Sequence, residues 1–219
     1  MAGSGVTNPF IELSNRFSCW SDNKKDIKIC GQKLGDFVPT PFAQSYGATG
    51  SQSAPYLGLE TVLADLKLGA DDSIIDIGCG KGRVIAYLIS RGYSCKITGV
   101  EINSRVASVA SSWAEKFPNI EIYEGDAFGL DYNDYSVLFM YRPMETDTFK
   151  MFVNLLEMTL TRSIKLYYYV DGQSGFYLND RSGWDLIERH DIFRVKGRYI
   201  HKEPQRYSIW KYTPSGQMV

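Results

Sequence analysis

The sequence predicts an α/β fold: a doubly wound, mostly parallel seven-stranded sheet with helices on both faces and an antiparallel hairpin at its C-terminal end. Three observations predict it. Short β-branched or apolar runs alternate along the chain with apolar residues at helical spacing, and strands that alternate with helices pair in parallel. A glycine-rich turn joins the first such strand to the next helix. Near the C-terminus two extended segments have no strong helix between them, which favours an antiparallel pair.

The predicted elements follow in chain order from the spacing of their apolar residues. Residues 1–35 are predicted to be irregular, with one strand-like stretch at 26–34. Apolar residues at helical spacing predict a helix near 59–66, and the β-branched run 73–77 predicts a buried strand. The later helices are expected at 82–90, 106–117 and 149–160, the later strands at 96–101, 120–123, 136–141 and 164–170, and the two extended segments at 184–194 and 207–212.

The segment before the first predicted strand has an unusual composition. From Phe37 to Leu59 there is no charged residue, although prolines and glycines interrupt the segment repeatedly. We expect a loop that is neutral and rich in Ser, Gln and Tyr to lie against the core or a bound ligand. The sequence therefore predicts an N-terminal extension or lid over residues 1–45 and one globular domain over residues 46–219.

Composition excludes several classes of protein. The chain has 219 residues, of which 44% are hydrophobic and 22% charged, as in soluble globular proteins. A net charge of −1 argues against binding to nucleic acid mainly through phosphates, so we expect no nucleic-acid partner. The longest apolar run, 84–89, is far below the roughly 20 residues that span a membrane, and no secretory signal is visible. We therefore expect a cytoplasmic protein with no membrane partner.

Charge and metal-ligating residues are unevenly distributed. Residues 181–211 carry eight basic and four acidic side chains, whereas residues 121–147 carry seven acidic and one basic. A basic C-terminal face of this kind suits an anionic substrate or RNA, although most such patches are only solvated. Four cysteines and two histidines provide neither a disulfide scaffold nor a metal cluster, so we expect no metal.

The strongest chemical signal is the glycine loop, residues 78–82, which follows the first predicted strand. Gly78, Gly80 and Gly82 alternate there, and Asp76 precedes them by two residues. Glycine is needed where the chain turns sharply or where backbone must approach a ligand closely. The second predicted strand ends in Glu101, a carboxylate that can accept both hydroxyl hydrogens of a ribose. A glycine loop and an acid at adjacent strand ends predict a nucleoside site.

The spacing of the glycines distinguishes between nucleoside cofactors. A dinucleotide fingerprint has glycine at relative positions 1, 3 and 6, but position 6 from Gly78 is the bulky Arg83. The Asp-x-Gly-x-Gly-x-Gly pattern of residues 76–82 instead resembles the first motif of Rossmann-like, class I S-adenosylmethionine-dependent methyltransferases. That cofactor carries an amino-acid tail and a sulfonium rather than a pyrophosphate, so an acid at the loop is compatible with it.

The resemblance extends over roughly residues 45–213 and implies a set of cofactor contacts. Glu101 matches the ribose-binding acid, and residues 125–127 match the segment that brackets adenine, with Asp126 placed to accept from the adenine amino group. Residues 46–49, Tyr-Gly-Ala-Thr, are similar to a segment that covers the methionine end in a group of small methyltransferases. The implied cofactor-binding residues are Tyr46, Thr49, Asp76, Gly78, Cys79, Gly80, Gly82, Glu101, Ile102, Asp126, Ala127 and Tyr141.

The segment after the fourth predicted strand, residues 141–144, lies where the family has its substrate-facing motif, so Tyr141 and Arg142 are the expected catalytic residues. Related enzymes commonly have an Asn that accepts from an amine nucleophile, whereas arginine has no acceptor. Only a backbone carbonyl, such as that of Tyr141, could then accept from an amine. Arg142 suits a carboxylate or phosphate on the substrate, or else pairs at the surface with Glu145 or Asp147.

The resemblance implies a methyltransferase that uses S-adenosylmethionine and acts on a small molecule or a protein side chain by in-line displacement. An oxygen nucleophile would usually need a general base, for which His190 and His201 are the histidine candidates. Two alternatives remain from the residues alone: a non-catalytic S-adenosylmethionine-binding partner protein and a nicotinamide-dependent reductase. The sequence indicates neither the acceptor nor an oligomeric state.

Overall fold

The computed structural model of the protein describes residues 8–215. Its helices are α1 (Pro9–Cys30), α2 (Ala43–Tyr46), α3 (Tyr56–Val62), α4 (Arg83–Ser90), α5 (Ser104–Ala114) and α6 (Thr146–Thr159). Its strands are β1 (Ser73–Ile77), β2 (Lys96–Glu101), β3 (Ile120–Glu124), β4 (Val137–Tyr141), β5 (Ile164–Tyr169), β6 (Trp184–Ile192), β7 (Arg194–Val195), β8 (Arg198–Tyr199) and β9 (Gln205–Tyr212). Short 3-10 turns lie at 127–129, 132–134 and 175–178.

Seven strands form one sheet in the order β3-β2-β1-β4-β5-β9-β6. The pairs from β3 to β5 are parallel, and β9 pairs antiparallel with both β5 and β6. This confirms the predicted fold class, including the antiparallel C-terminal hairpin. The chain reverses direction across the sheet between β1 and β4, so the carboxyl ends of β1, β2 and β4 border a crevice at the topological switch point.

The core has two layers because buried side chains of the central strands point alternately to opposite faces of the sheet. One layer contains Ile74 and Phe139 with residues of α3 and α4. The other contains Ile75 and Leu138 with the apolar side of α6. The tyrosines of β5 follow the same alternation: Tyr167 and Tyr169 lie in the first layer and Tyr168 in the second. Helices therefore cover both faces, as predicted.

The prediction for the N-terminal segment was wrong, because residues 9–30 form the longest described helix rather than irregular chain. The Asn8 side chain caps the helix by accepting from the N–H of Phe10, and Gly31 ends it in the left-handed conformation. Its buried residues are spaced by four and are mostly polar: Ser18, Asp22, Asp26 and Cys30. The exposed side carries apolar residues at helical spacing from Phe10 to Trp20, so the pattern of a helix was present in the sequence and the prediction overlooked it.

Two further findings concern the described part of the chain, residues 8–215. It contains no helix that is both long enough and apolar enough to cross a membrane. All four cysteines are free, with Cys19 exposed and the others buried. The division of the chain at residue 45 stays a prediction; Cys30 and Leu34, which precede that boundary, are buried in the same core layer as α3 and α4.

Candidate active site

A cavity of about 560 Å³ opens at the carboxyl ends of β1, β2 and β4, where the fold places ligand sites. Its walls come from the glycine loop, from the chain after β2, β3 and β4, and from the uncharged N-terminal segment. Residues 48–54 of that segment all line the cavity, so the neutral loop lies over a concave site rather than in open solvent.

The glycine loop is held against β2 by its backbone. The N–H groups of Gly78 and Cys79 both donate to the carbonyl of Val100, at 2.9 and 3.0 Å. Gly78 has a φ of +71°, and a Cβ there would lie 2.3 Å from the Cβ of Pro143. Only glycine therefore fits at this position, because both the backbone conformation and the neighbouring proline exclude a side chain.

Glu101 joins the end of β2 to the glycine loop. Its Oε2 accepts from the N–H of Gly80 at 3.0 Å, and its Oε1 accepts from the N–H of Asn103 at 2.9 Å. Burial raises the pKa of this carboxyl, although the backbone hydrogen bonds oppose the shift. Backbone N–H groups of Gly80, Asn103 and Ile102 all bond to this carboxylate, so about one of its four lone-pair sites is left for a ligand in the cavity.

Asp76, on β1, is a buried acidic residue whose hydrogen bonding within the described chain is incomplete. It is 2% exposed, and its Oδ2 has no hydrogen-bond partner among residues 8–215. Burial raises the pKa of Asp76 well above 3.8, and the charge of Glu101 raises it further. A buried carboxylate oxygen without a partner is costly, and Asp76 lines the cavity, so a donor on a ligand would remove that cost.

The segment Tyr46–Thr49 is joined to the loop after β4 by three hydrogen bonds. Thr49 donates from its N–H to Pro143 at 3.0 Å and from its hydroxyl to the carbonyl of Arg142 at 2.7 Å. The N–H of Glu145 donates to Gly47 at 2.8 Å. These bonds join a segment from the N-terminal part of the chain to the predicted substrate-facing loop and close one side of the cavity.

Three further predicted residues line another part of the cavity: Asp126 and Ala127 after β3, and Ile102 after β2. Asp126 caps the turn that follows it, because its Oδ1 accepts from the N–H of Phe128 at 3.0 Å. Ala127 and Ile102 line the cavity beside it. The second carboxylate oxygen of Asp126 is left to face a ligand, which is compatible with the predicted contact to an adenine amino group.

The end of the cavity beyond β4 contains residues that the sequence did not single out. Gln205, from β9, lines it and accepts from the hydroxyl of Tyr169 at 2.7 Å. Burial raises the pKa of Tyr141, and a hydrogen bond with the Gln205 side chain lowers it, so the Tyr141 hydroxyl is protonated at neutral pH. Only the pairing of β9 with β5 brings Gln205 here, and no local pattern indicates it.

Arg142 and His201 line the cavity, whereas His190 is not among its lining residues. Arg142 lines the cavity, and its Nη2 lies 3.7 Å from Oε1 of Glu145, one of the two partners considered from the sequence. Its backbone has a φ of +40°, which bends the chain sharply after β4. His201 lines the mouth of the cavity, whereas His190 lies on β6, exposed and 3.3 Å from Glu188.

The structure brings almost all of the predicted site residues to one cavity. Twelve of them line it: Tyr46, Thr49, Asp76, Gly78, Cys79, Gly80, Glu101, Ile102, Asp126, Ala127, Tyr141 and Arg142. Gly82 does not. It lies at the base of the loop, where a Cβ would be 2.6 Å from Cζ2 of Trp113, so this glycine allows the α4 and α5 helices to pack closely.

Comparison with known proteins agrees with this geometry. A family model described as a methyltransferase domain matches residues 74–157, which run from β1 into α6 and include the glycine loop and Glu101. This central part of the chain is therefore similar to a methyltransferase domain.

One curated relative and two solved structures show how widely the methyltransferase fold is shared. A probable ribosomal RNA small subunit methyltransferase A of Methanosarcina acetivorans is 27% identical over 111 residues, which span 51% of this chain and 40% of the relative. An RNA methyltransferase of Salinibacter ruber, solved with S-adenosyl-L-homocysteine, is 18% identical with a TM-score of 0.52 and covers 74% of this chain and 94% of its own. The mitomycin 7-O-methyltransferase MmcR is 15% identical, with a TM-score of 0.55. The match covers 72% of this chain and 53% of MmcR.

The two structures share the fold of this chain, and their names give different acceptors: RNA in one and mitomycin in the other. The curated relative is matched over less than half of its length. The acceptor of this chain has to be argued from its own residues.

Proposed function

We propose that this protein transfers a methyl group from S-adenosylmethionine to a nucleophile that enters the cavity beside Tyr141 and Arg142. The observation that carries the proposal is the pair of buried carboxylates, Asp76 and Glu101, at the tips of neighbouring strands and facing one cavity. Their pKa values are both raised by burial, as expected for acids that lack a cationic partner among residues 8–215. A cofactor that carries an ammonium and a sulfonium supplies that positive charge.

The described residues fit the cofactor along its whole length. Glu101 keeps acceptor capacity for a ribose hydroxyl, and the Asp126 oxygen that does not bond to Phe128 can accept from the adenine amino group. The unpartnered Oδ2 of Asp76 is available to the amino-acid end, over which Tyr46–Thr49 closes. The cavity volume of about 560 Å³ lies within the usual range for small-molecule sites.

When bound, the cofactor supplies an electrophilic methyl group, and displacement at that carbon requires the nucleophile in line at roughly 3–3.5 Å. The chain positions the nucleophile and excludes water from the cavity. Tyr141 does not act as a general base, since its hydroxyl is protonated at neutral pH. The side chains of Tyr141 and Gln205 can form hydrogen bonds with the substrate that receives the methyl group. The carbonyl of Arg142 already accepts a hydrogen bond from the Thr49 hydroxyl. The Tyr141 carbonyl stays the predicted acceptor for an amine N–H.

The decisive experiment is a calorimetric titration with S-adenosylhomocysteine. Glu101→Ala is expected to weaken binding by about tenfold or more, because it removes a charge-assisted acceptor of a hydrogen bond from the ribose. Glu121→Ala is the matched control, since Glu121 is an exposed acid on β3 that pairs only with Lys96 at 3.3 Å. Full retention of affinity in Glu101→Ala would exclude the assignment of this cavity to the cofactor.

A further inference from the structure

Helix α1 exposes its apolar residues to solvent. Phe10, Leu13, Phe17 and Trp20 are 74%, 67%, 46% and 53% exposed, and their spacings of three, four and three place them on one side of the helix. The opposite side is buried and polar. Soluble proteins rarely leave a contiguous row of aromatic and aliphatic side chains uncovered, and such a row indicates a surface for a partner.

Basic side chains lie directly over these exposed rings. The Nζ of Lys24 is 3.8 Å from the centroid of the Trp20 ring, and the guanidinium of Arg198 is 4.8 Å from that of Phe17. Arg198 comes from the β7–β8 hairpin, which is fixed to α1 because the N–H of Tyr199 donates to Ser14 Oγ at 2.9 Å. Rings and cations from two elements thus form one surface, the aromatic–basic surface.

The charge of this surface is strongly positive. On α1, Asp22 and Asp26 face inward to Arg83, and on the outer side Lys25 and Lys196 pair with Glu60. The remaining charges of α1 and residues 194–203 are six cations and two acids: Arg16, Lys24, Lys28, Arg194, Arg198 and Lys202 against Glu12 and Glu203. The chain as a whole has a net charge of −1, so positive charge is concentrated here.

Two neighbouring residues, His201 and Lys202, lie between the aromatic–basic surface and the cavity. His201 lines that cavity, and the next residue, Lys202, borders a surface depression on α1 together with Arg16 and Trp20. A flexible polymer that follows the surface from Phe17 past Lys202 therefore reaches the cavity at His201. Neither a bilayer nor a folded protein is needed to explain rings and cations that alternate along such a path.

We propose that the aromatic–basic surface binds a single-stranded polynucleotide and presents one of its bases to the cavity as methyl acceptor, an inference that rests on the proposed function. Exposed rings provide stacking platforms for bases whatever their sequence, and cations beside them pair with the backbone phosphates. This combination suits an unpaired strand better than a duplex, whose bases are already stacked. Phe17 and Trp20 stack, while Lys24, Arg198 and Lys202 contact phosphates.

The test uses the full chain and a fluorescein-labelled oligouridylate of about 12 nucleotides, a length within the usual site sizes. Binding is followed by fluorescence anisotropy with S-adenosylhomocysteine present, from about 50 to about 200 mM salt. The double variant Phe17→Ala, Trp20→Ala is expected to weaken binding by about tenfold or more. Lys24→Glu with Lys202→Glu is expected to flatten the salt dependence, because fewer counterions are then released.

Matched controls lie on α6, on the other face of the sheet. Lys150→Glu reverses an exposed lysine, and Met158→Ala removes an apolar side chain that is 84% exposed. Both are expected to leave oligonucleotide binding unchanged. All variants are expected to bind S-adenosylhomocysteine as tightly as the unmodified protein, because the substituted side chains lie outside the cofactor cavity.

Four outcomes would overturn the inference: no binding of the oligonucleotide, binding that the α1 variants do not weaken, binding to phosphatidylserine vesicles instead, or self-association in light scattering that Trp20→Ala abolishes. Each is distinguishable from failure of the proposed function. If S-adenosylhomocysteine binds and the oligonucleotide does not, only the polynucleotide surface is refuted. If S-adenosylhomocysteine itself does not bind, the cofactor site is refuted whatever the oligonucleotide does.

Discussion

Arg83 donates two parallel hydrogen bonds to Asp26, from Nε to Oδ1 at 3.0 Å and from Nη2 to Oδ2 at 2.6 Å. Both side chains are buried, and the pair joins α1 to the first residue of the helix after the glycine loop. Asp22 lies close by, with its Oδ2 3.9 Å from the guanidinium, and burial raises its pKa to about 6. The N-terminal helix is thereby fixed to the element that shapes the cofactor cavity.

Removing Asp26 is expected to destabilise the protein strongly. In Asp26→Ala the guanidinium of Arg83 stays buried without its bidentate partner, and the N–H of Leu34 loses its acceptor as well. Breaking one side of a buried pair costs about 3–5 kcal/mol of unfolding free energy. Urea denaturation followed by circular dichroism measures it.

The control for Asp26 is Glu60→Gln, which weakens partly exposed ion pairs to Lys25 and Lys196. It is expected to cost about 0–1 kcal/mol. Replacing both partners, Asp26→Leu with Arg83→Met, is expected to recover much of the lost stability, since two apolar groups replace the buried charges. Equal stability of Asp26→Ala and the unmodified protein would contradict the structural role of this pair.

Asp76→Asn is expected to separate stability from cofactor binding. The folded-state pKa of Asp76 is raised well above 3.8, so the folded protein binds this proton more tightly than the unfolded chain does. Its contribution to stability is therefore complete below about pH 3.8 and is lost as pH rises through the raised pKa. The Asn variant has no such proton, so its unfolding free energy falls less with increasing pH.

The same substitution is expected to weaken S-adenosylhomocysteine binding at neutral pH, because the amino-acid end loses a carboxylate partner. Because a bound ammonium lowers the raised pKa of Asp76, binding is expected to release a proton at pH values where the free protein holds Asp76 protonated, which calorimetry in two buffers of different ionisation enthalpy detects. Asp72→Asn, at an exposed turn before β1, is the control and is expected to change neither quantity. A variant that binds as tightly as the unmodified protein would refute the assignment of Asp76.

Gly80→Ala and Gly82→Ala are expected to have different consequences although both glycines have positive φ. At Gly80 a Cβ meets only the movable hydroxyl of Ser51 at 2.7 Å and narrows the cavity, so S-adenosylhomocysteine affinity falls. At Gly82 it meets the buried Trp113 ring at 2.6 Å, so stability falls further, by about 1–3 kcal/mol of overpacking. Thermal unfolding and calorimetric titration of both variants distinguish the two cases.

Thr49→Val is expected to loosen the segment that closes the cavity. It removes the hydroxyl that donates to the carbonyl of Arg142 at 2.7 Å and keeps the shape of the side chain. Loss of one hydrogen bond of about 0.5–1.5 kcal/mol weakens S-adenosylhomocysteine binding by about two- to tenfold. Thr49→Ser keeps the hydroxyl and is expected to retain the affinity; identical behaviour of both variants would indicate that the bond has no part in binding.

Local pattern was sufficient to predict most of the sheet and the cofactor end of the cavity. β1 and β2 have the predicted bounds, because a buried parallel strand is a short β-branched run between turns. Asp76, Gly78, Gly80 and Glu101 converge for the same reason: each occupies the end of a parallel strand or the turn after it, and such ends meet at one edge. Their separate roles in binding stay predictions.

Other features were decided by contacts between distant residues. Helix α1 is stabilised on its buried side by Asp26 and Arg83, so its apolar residues mark the outside and give the wrong signal. Gln205 enters the cavity only through the pairing of β9 with β5.

The order of residues along the chain was enough to specify the parallel sheet, the turn that needs glycine and the acids beside it, because backbone conformation and alternating burial act over a few residues. The fold alone decided which side of α1 faces solvent, that Gly82 packs against Trp113, and that His201 lines the cavity while Lys202 lies beside α1. Those relationships depend on packing and charge pairing between segments far apart in sequence, which no local pattern encodes.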